Sequence, residues 1–201
     1  MTNHYYSKNP TAESDPKHWE FSLRGKTFRF KTDNGVFSKK EVDFGSRLLI
    51  DSFECPEDTE GDILDVGCGY GPMGLSIAYA YPDKKVEMVD VNARAVQLAK
   101  ENAATNGIGN VVIYESDVFA NVQNASFAAV LTNPPIRAGK QVVHEIFEKS
   151  YEHLSSNGEL WVVIQKKQGA PSAMEKMEAL FGNVEVVAKK KGYFILVSKK
   201  N

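Results

Sequence analysis

Cysteine is scarce in this chain: Cys55 and Cys68 are the two thiols in 201 residues. They make neither a disulfide framework nor a metal-ligand spacing, so the sequence predicts no bound metal and fits a reducing cytoplasm. Long apolar runs are missing too. Nowhere do eighteen apolar residues stand together, which predicts no membrane span. The opening stretch MTNHYYSKNPTAESDPKHWEF is polar and lacks the apolar core of a secretion signal. Charge of one sign is also lacking. The formal net charge is −2, so overall charge announces no nucleic-acid partner, although a local basic face stays open. There is no internal repeat and no low-complexity segment. What is present is 42% hydrophobic and 25% charged residues, enough for a full core and against global disorder.

The pattern divides the chain unequally. Residues 1–17 read as a flexible tail, and 18–201 as a single domain that begins with a β-hairpin at about 18–32. In that hairpin Trp19, Phe21 and Leu23 share one face, as do Phe28 and Phe30 across the Arg24-Gly25 turn. A short helix follows at 45–53. From Asp62 onward, strands expected at 62–66, 85–90, 111–115, 128–132 and 160–164 alternate with helices at 73–80, 93–106 and 141–153. Alternation at this spacing predicts parallel βαβ units in an open, Rossmann-like α/β sheet. The end of the chain reads as one more helix and two strands joined by a tight turn. That predicts a reversed strand near the C-terminal end, at the margin of the sheet. The turn carries Lys189, Lys190 and Lys191, which are expected to lie away from the site and serve solubility.

The stretch DILDVGCGYGPMG, from Asp62, runs from a buried strand into four glycines within eight residues. Glycine lets backbone approach a ligand, and the following helix offers free N–H groups at its start. Gly69-x-Gly71-x-x-Gly74 formally matches a dinucleotide fingerprint. Asp65-x-Gly67-x-Gly69 suggests a different ligand. A carboxylate there repels a pyrophosphate but attracts the sulfonium and ammonium of S-adenosylmethionine (SAM). Pro72 also removes one N–H from the helix start. Asp90, ending the second strand of this series, is placed to accept both hydroxyls of an adenosine ribose. Asn92 is the better-placed cap of the next helix. Asp117, after the third strand, is placed either to accept from an adenine amine or to act as an ordinary loop acid.

The stretch LTNPPIRAGK, from Leu131, follows the fourth strand. Two prolines fix the backbone and add no competing N–H. The Asn133 side-chain oxygen and the Pro134 carbonyl can then hold both hydrogens of a planar amine. That arrangement aligns a nitrogen lone pair with a methyl donor and stabilises the charge that develops on nitrogen. A plain loop is the competing reading, because Asn-Pro commonly starts turns.

In this order the motifs DILDVGCGYGPMG, VEMVD, SDVF and LTNPPI resemble a class I SAM-dependent methyltransferase acting on amino groups. With NGVFSKKEVDFGSRLLID upstream and NPPIRAGK, the chain resembles the methyltransferase small domain, RsmC-like, of the small-subunit (16S) rRNA guanine-N2 methyltransferases. The resemblance implies a seven-stranded, mostly parallel sheet and SAM as cofactor. By the same likeness Asp65, Gly67 and Gly69 line the methionine part, Asp90 holds the ribose, and Asp117 the adenine edge. Phe37 and Ser38 close over the cofactor, Asn133 also borders the cofactor, and Asn133 and Pro134 hold the target amine. Pro135, Ile136 and Arg137 would meet the substrate. Related enzymes often carry an aromatic where this chain has Ile136, and Phe37 could supply the missing ring or belong to the core. The implied partner is ribosomal RNA or the small ribosomal subunit, with Lys39, Lys40, Arg137, Lys140, Lys166 and Lys167 as candidate phosphate contacts or solvated charge. An adenine-N6 DNA enzyme and a protein-glutamine enzyme would use the same Asn-Pro-Pro site. An NAD-binding oxidoreductase or nucleotide-binding module would use the formal glycine fingerprint and leave Asn133 unexplained. Nothing in the sequence fixes an oligomeric state.

Overall fold

A computed structural model describes residues 6–201. Two strands, β1 (Lys17–Leu23) and β2 (Lys26–Thr32), pair antiparallel, with Trp19 opposite Phe30 and Phe21 opposite Phe28. That register puts the hairpin's aromatic residues on one face, where Trp19, Phe30 and Tyr70 meet ring to ring. Helix α1 (Phe44–Ser52) follows. Then come β3 (Asp62–Val66), α2 (Pro72–Ala80), β4 (Val86–Asp90), α3 (Ala93–Thr105), β5 (Val111–Glu115) and β6 (Phe127–Thr132). The chain continues through α4 (Lys140–His153), β7 (Leu154–Gln165), α5 (Ala170–Phe181), β8 (Glu185–Lys190) and β9 (Tyr193–Lys199). Short 3-10 turns at Ile136–Ala138 and Lys166–Gln168 precede α4 and α5.

The main sheet has seven strands in the order β5-β4-β3-β6-β7-β9-β8. The pairs from β5 to β7 are parallel, and β9 runs antiparallel to both its neighbours. The reversed strand is therefore one place in from the edge, with β8 outermost. Strand β7 starts six residues earlier than its apolar run suggested. Leu154 already pairs with Phe127, and a register shift then lets Glu159 pair with Ala129. Asn157, with φ +65°, lies in that irregular stretch.

The strands buried on both faces read as continuous apolar runs. β6, FAAVLT, has no exposed residue. Two apolar layers flank the sheet. One joins α1, α2, α3 and the hairpin to β3 and β4, through residues such as Phe28, Leu49, Ile77 and Met88. The other joins α4 and α5 to β6 and β7, through Phe127, Phe147, Val162 and Met177. Gly74 permits the close approach of α2 to β4: a Cβ there would lie 2.7 Å from the Met88 side chain.

The hairpin is fixed by side chains that behave like a strand. Asn102 on α3 and Asn106 at its C-cap, one turn apart, pair with the edge of β2. The Lys31 N–H donates to Asn102 Oδ1 at 2.7 Å, and the Arg29 N–H to Asn106 Oδ1 at 2.8 Å. In return Asn102 Nδ2 donates to the Lys31 carbonyl and Asn106 Nδ2 to that of Arg29. Edge groups that would otherwise invite another chain are thereby covered.

The parallel order changes direction between β3 and β6, the place where open α/β sheets bind ligands beyond the carboxyl ends of their strands. Asp65 and Asn133 stand at those two strand ends.

Candidate active site

One cleft opens at that place. It encloses about 950 Å³ of empty space, including solvent at its mouth. Of the residues expected from sequence, Phe37, Ser38, Asp65, Gly67, Gly69, Asp90, Asn133, Pro134 and Pro135 all line it. Asp117 is exposed between two lining residues, Ser116 and Val118. Ile136 is half-buried and packs against the α4–α5 layer, and Arg137 is exposed one residue beyond.

The glycine corner commits its amides to protein acceptors. Gly67 and Cys68 N–H groups donate to the Val89 carbonyl at 2.8 and 2.9 Å, and Gly71 to that of Cys68 at 3.0 Å. Gly69 donates to Asp90 Oδ2 at 2.8 Å and Gly74 to Asp65 Oδ2 at 2.9 Å. Pro72, at the start of α2, has no N–H to give. A pyrophosphate needs such donors free, so the corner is poorly made for a dinucleotide. Gly67 (φ +77°) and Gly69 (φ +57°) adopt left-handed conformations, and a Cβ on either would meet nothing within 4 Å. Their glycine identity thus serves backbone shape.

Charge points the same way. Among the described residues the lining includes Asp43, Asp65 and Asp90 and neither lysine nor arginine. Burial pushes the Asp65 carboxyl up to about 7, with the Gly74 N–H pulling it down and Asp90 adding to the rise. Asp90 is also held above the ordinary carboxylate range by burial, against the pull of the Asn92, Gly69 and Val91 N–H groups. A buried carboxylate with a half-buried one beside it, neither with a basic partner, favours a cationic ligand. A bound SAM supplies that cation and, as its chemistry, a transferable methyl group. The residues present fit it.

Asn92 caps α3 through its side chain, which accepts from the Ala95 N–H at 3.2 Å. Val118 holds φ +49°, a strained conformation for a β-branched residue. Ser116 Oγ steadies it by donating to the Val118 carbonyl at 3.0 Å, while accepting from the Asn121 N–H.

The other corner is built on Asn133. Its Nδ2 donates to Asp43 Oδ2 at 3.3 Å and to Ser46 Oγ at 3.0 Å. Asp43 caps α1, also accepting from the Ser46 N–H at 3.0 Å. A carboxylate only accepts, so Asp43 decides which way the amide faces: nitrogen toward α1, which leaves Oδ1 as the unengaged acceptor. Pro135, at φ −76° and ψ 80°, makes an inverse γ-turn in which the Ile136 N–H donates to the Pro134 carbonyl at 2.9 Å. That carbonyl keeps one lone pair in a fixed direction. Phe37, 45% exposed, is a cleft residue and no part of the core. The Tyr70 hydroxyl donates to the carbonyls of Ser38 and Glu41, fastening the turn that presents Phe37.

Sequence reasoning did not single out Tyr6, Asp43, Ser46, Tyr70 or Val118 as site residues. Asp43 and Ser46 were within reach, since DFGS has the spacing of a capped helix start.

The placement of one basic segment differs from expectation. Because β9 is antiparallel to β7, its first residue, Tyr193, pairs with the last of β7, Gln165. The end of β8 with Lys189 and Lys190, and the β8–β9 turn with Lys191, therefore lie at the carboxyl edge of the parallel strands, the edge at which the cleft opens. The Lys166 N–H donates to the Gly192 carbonyl at 2.9 Å, and Lys191 Nζ sits 4.8 Å from the Phe44 ring centre. The backbone thus brings lysines 166, 167 and 189–191 to one edge of the sheet, a basic rim in sequence terms rather than two unrelated runs.

Residues 27–197 match the family model described as the methyltransferase small domain. The chain belongs to that family. YbxB of Bacillus subtilis (strain 168), whose name assigns no activity, is 66% identical over the whole of both chains. Ribosomal RNA small subunit methyltransferase C of Klebsiella pneumoniae is 35% identical over 90% of this chain and 52% of its own. That of Vibrio cholerae is 30% identical over 92% and 53%. The chain thus spans about half the length of these rRNA methyltransferase relatives. A solved structure, the T. thermophilus 16S rRNA N2 G1207 methyltransferase (RsmC) in complex with AdoMet and guanosine, superposes with a TM-score of 0.82 at 24% identity. It covers 96% of this chain and 52% of that one, and the likeness supports the seven-stranded methyltransferase fold.

Proposed function

We propose that this protein transfers the methyl group of SAM to the exocyclic N2 of a guanine in small-subunit ribosomal RNA. The observation that carries the reading is the fixed amide of Asn133. Asp43 turns its nitrogen away, so its oxygen and the Pro134 carbonyl present two acceptors beside an acid-lined nucleoside cleft. Asp65 would face the cofactor's ammonium, Asp90 its ribose hydroxyls and Asp117 its adenine amine, with Phe37 and Ser38 near the point of transfer.

Asn133 and Pro134 accept one hydrogen each from the guanine amine. Their pull makes the nitrogen more pyramidal and directs its lone pair. The new N–CH3 bond forms as the S–CH3 bond breaks, and sulfur keeps the bonding pair. The methylated nitrogen carries positive charge until one proton leaves to water. Both acceptors bind that charged state more strongly than the neutral amine.

An adenine N6 or a glutamine amide presents the same planar NH2. Guanine in RNA is favoured by the relatives that carry rRNA methyltransferase names and by the basic rim at the cleft edge. The rim suits a phosphate backbone, with Arg137 beside the clamp. The test is incubation with labelled SAM and small ribosomal subunits or naked 16S rRNA, followed by nucleoside mass spectrometry. Label in N2-methylguanosine is the expected result. Label in N6-methyladenosine, or in a glutamine of a ribosomal protein, overturns the guanine reading.

A further inference from the structure

The segment ahead of the first hairpin is the part of the chain to which the reading above gives no task. Its described portion, 6–16, is tied to the elements that build the cofactor cleft. The Ala93 N–H donates to the Lys8 carbonyl at 3.1 Å. The Arg94 guanidinium donates to the Ala12 carbonyl at 2.9 Å and the Asn34 carbonyl at 2.6 Å, joining the segment to the turn before Val36. Gly35 lies so near Pro10 that a Cβ on it would sit 2.8 Å from the proline Cβ. The Asp33 carboxylate accepts from Ser14 Oγ and the Asp15 N–H. At the far end Tyr6, half-buried, lines the cleft, and its hydroxyl donates to Asp117 Oδ1 at 3.3 Å.

We infer that this strap belongs to the cofactor site, and that Tyr6 is the wall that closes over the adenosine end of SAM. The inference rests on the assignment of Asp117 to the adenine edge made above. A carboxylate has about four acceptor positions. The Tyr6 hydroxyl and the adenine amine can therefore share Asp117, one on each oxygen. Burial, and then the charges of Asp117, Asp90 and Glu145, push the Tyr6 phenol up, so it stays a donor. The opposite arrangement would have the Tyr6 ring standing in the adenine's place, to be expelled when SAM binds. The cleft argues against it, because its open space remains with Tyr6 on the lining. Arg94 acts at a distance from the ligand, as the residue that positions the strap.

The test is isothermal titration of the full chain with S-adenosylhomocysteine, joined to stopped-flow dissociation. Tyr6→Ala should weaken binding about tenfold, mostly through faster release, while Tyr6→Phe, which keeps the ring, should stay within about threefold of the parent. Arg94→Ala should speed release without moving any cofactor contact. Unchanged or tighter binding by Tyr6→Ala overturns the inference, the tighter result marking Tyr6 as a stand-in. Asp90→Ala in the same assay separates the two readings. If it weakens binding and Tyr6→Ala does not, the strap alone is wrong. If both are silent, the adenosine placement is wrong as well.

Discussion

The two corners of the cleft are made by opposite means. At the glycine corner nearly everything comes from one local stretch and the strand beside it. Amides from Gly67 to Gly74 are taken up by Val89, Cys68, Asp65 and Asp90, and the shape follows from a strand that must turn sharply into a helix. At the Asn-Pro-Pro corner the local sequence supplies only a rigid backbone. What makes it chemically directed comes from the far-off start of α1, where Asp43 and Ser46 hold the Asn133 nitrogen. In the proposed function the first corner holds the cofactor, and the second orients an acceptor. Damage to the first should therefore be felt in cofactor affinity, and damage to the second in turnover.

The largest separation is expected from Asn133→Ala. Removing one of two acceptors that matter most when nitrogen is charged should lower kcat on the order of 100-fold. S-adenosylhomocysteine affinity should stay within about twofold, since no cofactor group is assigned to that oxygen. Single-turnover methyl transfer beside calorimetry reads both quantities. Near-parental kcat would remove the amine clamp.

Asp43→Asn sharpens the comparison, because it leaves Asn133 in place and removes only the rule that orients it. Asparagine caps helices as well as aspartate does, so α1 should keep its stability. An amide at 43 can offer either face, however, so Asn133 loses its fixed direction. A kcat loss of about tenfold is expected, with cofactor affinity and melting temperature near parental. An equal fall in affinity would show that the corners are not independent.

At the glycine corner the corresponding lever is pH. Asp65 sits near 7 in the folded, ligand-free protein, well above its ordinary value of 3.8. The folded state therefore binds more protons than the unfolded one between those values. Through this group, stability rises as pH falls through 7 and reaches its full gain near 4. A ligand ammonium favours the ionised form, so cofactor binding should run the other way, weakening about tenfold from pH 8 to pH 6. Asp65→Asn should bind more weakly at pH 8 and lose that slope. A slope that survives in Asp65→Asn would assign the titration to another group.

Much of this is legible in the sequence. Strand and helix alternation follows from buried parallel strands, which have to be apolar throughout, as in FAAVLT. The glycine corner was legible because its interactions are local. The pairing of Asn102 and Asn106 with β2 was not. An asparagine in a helix looks the same in sequence whether it meets water or another strand's backbone. The orientation of Asn133 escaped for a similar reason, as it is set across some ninety residues of chain. Several contacts of 6–16 run through the backbone, at the Lys8 and Ala12 carbonyls and the Asp15 N–H, which composition does not encode.

The lysine turn was misplaced for a different reason, and it yields the smallest effect. The reversed strand itself dictates the placement, because a strand running backwards begins where its parallel neighbour ends. Lys189, Lys190 and Lys191 consequently stand on the cleft side with Lys166 and Lys167. If the rim holds an RNA backbone, replacing 189–191 with glutamine should raise KM for RNA a few-fold and leave kcat and cofactor affinity unchanged. It should also flatten the dependence of log affinity on log salt by about 2, from three lost phosphate contacts at roughly 0.7 each. The salt slope is the telling quantity, since a lysine turn that serves only solubility would leave it untouched. An unchanged slope would remove 189–191 from the RNA contacts and leave Lys166, Lys167 and Arg137 as the candidates.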